Sequence, residues 1–265
     1  MIFKRAAFLC VCIVTATACS FAQVIPPPQP LPPQSRLGMN LAGPADWNTE
    51  LPFADLFHFS RTWISQKEGA AWGQGPALSL DEHGWVKTLE PDCFAETPLL
   101  TDMKGQFPHG HYVCLYEGKG DISIQNADKI VSSEPGRIVF EPKERDGIFV
   151  RISSVDSANI IKNIRVLLPG TENNYKTDPF NPVFLERWQA FNTLRFMDWM
   201  QINGSQIKNW EERPQITDAT WASKGIPLEI MIDLCNRQNK TAGFAFPPTP
   251  QPTMFATLLL YSKNG

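Results

Sequence analysis

The chain has 265 residues, 24 Lys and Arg against 27 Asp and Glu, and 43% hydrophobic residues. A formal charge of −3 without a Lys/Arg cluster argues against a nucleic-acid partner held through its phosphates. The length fits one large folded domain or two smaller ones.

Residues 1–22 read as a signal peptide. Lys4 and Arg5 lead, an apolar run covers Ala6 to Val14, and Ser20-Phe21-Ala22 makes a small-residue exit with cleavage after Ala22. That run is too short to cross a bilayer, as is Phe255 to Tyr261, so no membrane span is expected. Cys19 offers a second reading, a lipid anchor, although Ala16 stands where a lipobox carries Leu. The expected location is secreted, periplasmic or extracellular. Residues 23–35 form a linker whose stretch Ile25 to Gln34 holds six prolines, a stiff extended spacer.

Residues 78–170 are expected to form a β-sandwich. Tyr112–Tyr116, Asp121–Gln125, Lys129–Ser133, Arg137–Glu141, Gly147–Ser153 and Ile160–Leu168 are short β-like runs separated by turn residues such as Glu134-Pro135-Gly136. Alternation at Ile122/Ile124 and Ile138/Phe140 predicts one buried face per strand. Cys10, Cys12 and Cys19 belong to the leader, which leaves Cys93, Cys114 and Cys235. In an oxidising compartment Cys93 and Cys114 can pair; a buried free thiol is the alternative for each, and the favoured one for Cys235. His109 and His111 sit among Gly and Pro and read as a surface loop rather than a metal site, so no metal or other cofactor is expected.

From residue 171 to 242 the period changes. Asn181 can cap a helix with Pro182 in its first turn, and Phe184, Leu185, Trp188 and Phe191 share one stripe. Thr193 to Trp199 follows as a mostly apolar strand with Arg195, Met197 and Trp199 on one side. Pro227 opens a second helix with Leu228, Met231, Ile232 and Cys235 at helical spacing, and Gly243 to Phe246 reads as another strand. Strand, helix, strand is the grammar of β/α units.

All eight Trp lie between Trp47 and Trp221, several beside polar residues, as in Asp46-Trp47-Asn48, Asp198-Trp199 and Asn209-Trp210-Glu211. Flat aromatic faces next to hydrogen-bonding groups suit a sugar ring. The candidate substrate-binding residues are Trp47, Arg195, Asp198, Trp199 and Trp210, and the expected partner is a polysaccharide or oligosaccharide.

Long segments carry a resemblance. GMNLAGPADWNTELPFADLF (Gly38 to Phe57), SRTWISQ (Ser60 to Gln66), WGQGPALSLDEHGWVKTLEPDC (Trp72 to Cys93), YVCLYEGKGDI, NIRVLLPG, LRFMDWMQINGS and GIPLEIMIDLCNR together reach from about residue 37 to 239. They are similar to a group of secreted bacterial proteins labelled cellulose-binding or glycoside-hydrolase-like, with a cellulase-like (β/α)8 barrel. The resemblance implies an α+β chain. In it, a β-sandwich is inserted after a barrel strand at Gly38 to Leu41 within segment 36–77, and residues 171–242 form part of the barrel. It also implies that Arg195 points into the sugar pocket with Trp199 near the rim, while Leu194 and Phe196 face helices.

The chemistry does not transfer. Glycoside hydrolysis needs two carboxyl groups facing each other across the scissile bond. In cellulase-like barrels the acid/base Glu follows an Asn, and this chain has no Asn-Glu dipeptide. Asp198 and Glu229 are available, but neither matches a catalytic position, so no catalytic residue is assigned. Residues 243–265 read as an aberrant tail, because relatives continue with WFCIPH where this chain has GFAFPP, as a frame shift before Gly243 would produce. Three readings follow: an inactive fragment of a secreted glycoside-hydrolase-like protein, a non-catalytic carbohydrate-binding protein acting through its sandwich, or a truncated product that does not fold stably.

Overall fold

The structure is a computed structural model and describes residues 37–245 except residue 146. The leader with Cys19, the proline-rich linker and residues 246–265 of the tail lie outside the described residues.

β1 (Gly38–Asn40) opens the described chain. β2 (Ile64–Lys67), β3 (Ser79–Leu80), β4 (Val86–Thr88) and β5 (Cys93–Leu99) follow. Then come β6 (Tyr112–Glu117), β7 (Gly120–Gln125), β8 (Ala127–Glu134), β9 (Arg137–Pro142), β10 (Ile148–Val155) and β11 (Lys162–Leu167). Helix α1 (Pro182–Arg187), β12 (Thr193–Arg195), helix α2 (Leu228–Gln238) and β13 (Thr241–Gly243) complete a β-rich α+β architecture.

Two four-stranded antiparallel sheets, ordered β2-β5-β10-β7 and β11-β6-β9-β8, make the larger part. Their facing sides share one core, with Ala95, Val150 and Ile152 from the first sheet and Cys114, Phe140 and Val166 from the second. Ile138 and Phe140 face the shared core as expected, but Val139 between them is buried too, on the other face under Tyr175, so β9 is covered on both sides. The turn Glu134-Pro135-Gly136 joins β8 to β9, with Gly136 at φ +84°, where a side chain would be strained. All six strand runs read from the sequence are present. β5 was not among them, because Glu96 and Pro98 break its pattern. In the fold Glu96 is neutralised by Arg151 at 2.5 Å. Pro98 lies beyond the end of β2's pairing, which stops at Glu96, so β5 there has a neighbour on one side only.

The smaller part is a parallel sheet ordered β1-β12-β13, in register at Asn40, Arg195 and Gly243. In the chain, the antiparallel sheets lie between β1 and β12. Its own core gathers Leu41, Phe53, Phe184, Leu194, Phe196, Trp199, Trp221, Met231 and Leu234. Asn181 caps α1 as expected, accepting a hydrogen bond from the Val183 N–H at 3.1 Å. On α2 it is Leu234 that is buried, while Ile232 is only half-buried. The last strand is displaced toward the amino end: Gly243 ends β13 rather than starting a strand, and Phe244 stacks on Phe196 at 5.8 Å.

Two expectations are corrected. The strand expected over 193–199 ends at Arg195, and the chain then turns. Side-chain alternation therefore lapses, and Trp199 drops into the core at 0% exposure instead of standing beside Arg195 at a rim. It contacts Phe196, Phe53 and Phe184. The Cys93–Cys114 disulfide is not formed: both are buried free thiols, one on β5 and one on β6 of the opposite sheet, and Cys235 is free too. Burial pushes the Cys114 thiol far up, which keeps it protonated and unreactive.

Asp55 anchors the segment between β1 and β2 onto β11. Its carboxylate accepts from the Phe57 and Val166 N–H groups, each at 3.0 Å, and faces Arg165 of β11. Beside it, His58 stacks on Trp221 at 4.0 Å with the rings nearly parallel. Arg165 Nη1 lies 2.7 Å from His58 Nε2, and burial holds this imidazole neutral, its pKa well below the usual value.

Candidate functional site

Parallel strands deliver the loops at their carboxyl ends to one rim, which is where open parallel sheets collect ligands. Here the loop after β1 and the loop after β12 meet and border an open cleft of about 1070 Å³. The two loops approach closely because residue 43 is glycine: a Cβ there would stand 3.1 Å from the Asp198 carbonyl oxygen.

The β1 loop is braced from within. Buried Asn48 donates to the Ala42 and Gly43 carbonyls at 3.2 and 2.9 Å and accepts from the Glu50 N–H at 2.7 Å. Asp46 is buried and takes a two-pronged contact from Arg61, Nε at 2.8 Å and Nη2 at 3.1 Å. The Thr101 hydroxyl also donates to Asp46. This paired carboxylate fixes Arg61, whose guanidinium carbon lies 5.4 Å from the centre of the Trp47 ring. Trp47 remains 54% exposed at the cleft wall. An open indole backed by a pinned cation is a stiff, flat surface with donors at its edge.

Across the cleft, Asp198, Gln201 and Asn203 supply polar groups. Asp198 is half-buried, and its carboxylate has no hydrogen bond or ion pair among the described residues. At the outer margin of the β1 loop, Glu50 accepts from the Ala42 N–H at 3.2 Å, and burial pushes its carboxyl up to about 7 against the opposing pull of Arg187.

Of the five residues proposed from sequence, the fold brings Trp47 and Asp198 to this cleft. Arg195 is exposed at the end of β12, donating to Asn40 Oδ1 at 3.2 Å and contacting Met197 Sδ at 3.1 Å, and it does not line the cleft. Trp199 is in the core. Trp210 borders a separate apolar pocket of about 50 Å³ and has the Arg213 guanidinium 4.4 Å above its ring. Arg61 was missed, because nothing in the sequence marks it as the partner of an aspartate fifteen residues earlier.

The carboxylates on hand for chemistry are few. Asp46 is committed to Arg61 and Thr101, and Glu229 lies 3.3 Å from Arg213. His111 pairs with Glu141 at 2.9 Å. Among the described residues no group of three or more His, Cys, Asp or Glu side chains is arranged to hold a metal ion, and no helix is long and apolar enough to cross a membrane. Compared with protein-family models, with curated proteins and with solved structures, the chain finds no match in any of the three.

Proposed function

We propose that this is a secreted carbohydrate-binding protein, related in plan to glycoside hydrolases but without hydrolytic activity, that holds an oligosaccharide in the cleft at the carboxyl end of its parallel sheet. The observation that carries the reading is Trp47: an indole more than half exposed at an open cleft, held by Arg61, which buried Asp46 pins in turn. Sugars present apolar C–H faces to such rings and hydroxyls to the groups around them, here Asp198, Gln201 and Asn203. The sequential, parallel order β1-β12-β13, with α1 ahead of β12 and α2 ahead of β13, supports reading these strands as the opening of a (β/α)8 plan. The absence of hydrolysis follows from the cleft's carboxylates: one is tied up in an ion pair and only Asp198 is unpartnered among the described residues, whereas the reaction needs two.

Calorimetric titration of the full chain with cello-, xylo- and laminari-oligosaccharides tests this. Binding of at least one series is expected, weakened about tenfold or more in Trp47→Ala, with no reducing sugar released. Equal binding by Trp47→Ala would remove the cleft from the proposal. Reproducible sugar release that disappears in Asp198→Asn would make Asp198 catalytic and overturn the inactive reading.

A further inference from the structure

The two outer faces of the sandwich differ. On the sheet β11-β6-β9-β8, Val113, Val139 and Leu167 are buried, with Tyr175 packed on them. On the sheet β2-β5-β10-β7 a different surface is built. Cross-strand pairing places Phe149 beside Gln125 and Pro98, and Arg151 beside Ser123 and Glu96, on the side away from the core residues Ile148, Val150 and Ile152. The loop between β2 and β3 folds back over β2 and sets Trp72 against the Phe149 ring at 5.4 Å, edge to face. Trp72 is nonetheless 55% exposed.

That exposure is not slackness in the loop. The Gly73 N–H donates to Gln66 Oε1 at 2.9 Å, the Gly75 N–H to the Ser65 carbonyl at 3.2 Å, and the Gln74 N–H to the Ala71 carbonyl at 3.2 Å. Gly75 lies so close to β2 that a Cβ would stand 2.7 Å from the Gln66 backbone nitrogen. A pinned loop that holds a large apolar ring in water has paid its ordering cost before any ligand arrives, as a binding surface should. The charge beside the ring is cancelled: Arg151 pairs with Glu96, which is 3% exposed, and lies 4.0 Å over the Phe94 ring. Ser123 and Gln125 add neutral hydrogen-bonding groups, joined to each other at 2.9 Å.

We infer that this face is a second binding surface, with Trp72 as its platform, for a neutral glycan chain. An aromatic platform flanked by amide, hydroxyl and already-neutralised guanidinium groups suits a ligand that offers C–H faces and hydroxyls and carries no charge. The inference rests on the carbohydrate reading above but concerns a different face, so the two can fail separately.

The test is titration of the full chain with cellohexaose, xylohexaose and laminarihexaose, alongside Trp72→Ala, Gln125→Ala and Trp47→Ala. Two independent sites are expected for one of these sugars. Trp72→Ala should weaken one of them about tenfold or more and Gln125→Ala about threefold, with the melting temperature held because Trp72 is exposed. Trp47→Ala should leave that site intact. Wild-type binding of all three sugars by Trp72→Ala would overturn the inference and leave the cleft standing; the reverse pattern would remove the cleft and keep this face. Failure of the wild-type chain to bind any of the three overturns both. Sedimentation that shows a dimer dissolved by Trp72→Ala would assign the face to a second copy of the chain instead.

Discussion

In the sandwich, β6 to β11 run six to eight residues each, and every one except the exposed edge strand β8 sends buried side chains into a core shared by two four-stranded sheets. The parallel sheet has strands of three residues each, drawn from positions 38, 193 and 241. Few ladder hydrogen bonds hold it, so its stability lies in side-chain packing around Trp199, Phe53, Phe196 and Trp221. A sheet of that kind can carry variable loops at its carboxyl rim, but it depends on a few large side chains. The sandwich spreads its stability over many modest ones.

The largest effect expected from this contrast is in Trp199→Ala, which should cost about 3–5 kcal/mol through the cavity it leaves. Hydrogen exchange would show amides of β12, α2 and β13 losing protection while those of β6 and β10 keep theirs; equal loss in both would make the two parts one cooperative unit. Trp199→Phe should cost less, because the buried indole Nε1 has no hydrogen-bond partner whose loss would matter.

Second is Arg61→Ala. Asp46 would stay buried with only the Thr101 hydroxyl and surrounding backbone, which should cost about 2 kcal/mol given that Arg61 itself is half open to solvent. Arg61→Lys should recover only part of this in denaturant unfolding, since an ammonium cannot make the two-pronged contact. Full recovery would mean that charge alone, rather than the fork, braces the loop.

Glu50 gives a smaller, pH-dependent effect. Burial lifts its carboxyl from the ordinary 4.5 to about 7. Between those values the folded chain holds a proton that the unfolded chain has released, so stability falls as pH rises through that window and the full penalty is present above 7. Glu50→Gln should flatten that slope and stabilise the protein at pH 8 by about 1 kcal/mol, a figure reduced for partial solvent access. Unfolding curves at pH 5 and pH 8 decide it; an unchanged slope would show that Glu50 is solvated.

The smallest effect is at Arg195. It is exposed and bound to Asn40 and Met197 alone among the described residues, so Arg195→Ala should change stability by less than about 0.5 kcal/mol. A loss above 2 kcal/mol would mean that the guanidinium braces the end of β12, which its exposure does not suggest.

What the sequence determined by itself is local. Period-two pairs at Ile122/Ile124 and Ile138/Phe140 mark sandwich strands because alternation is imposed by the pleat, residue by residue. Asn181 with Pro182 marks the start of α1 for the same kind of reason, since a cap acts within one turn. Trp47 and Asp198 stood out as aromatic-polar neighbours, and both line the cleft. Tertiary structure decided where short-range rules have no hold. β5 tolerates Glu96 because Arg151, fifty-five residues away, neutralises it. Trp199 leaves its predicted face because β12 stops after three residues, and an aromatic core outweighs strand propensity over so short a span. Trp47 acquires its backing from Arg61 and Asp46, and Trp72 its exposure from a loop pinned to β2, through contacts between residues whose separation along the chain leaves no pattern to read.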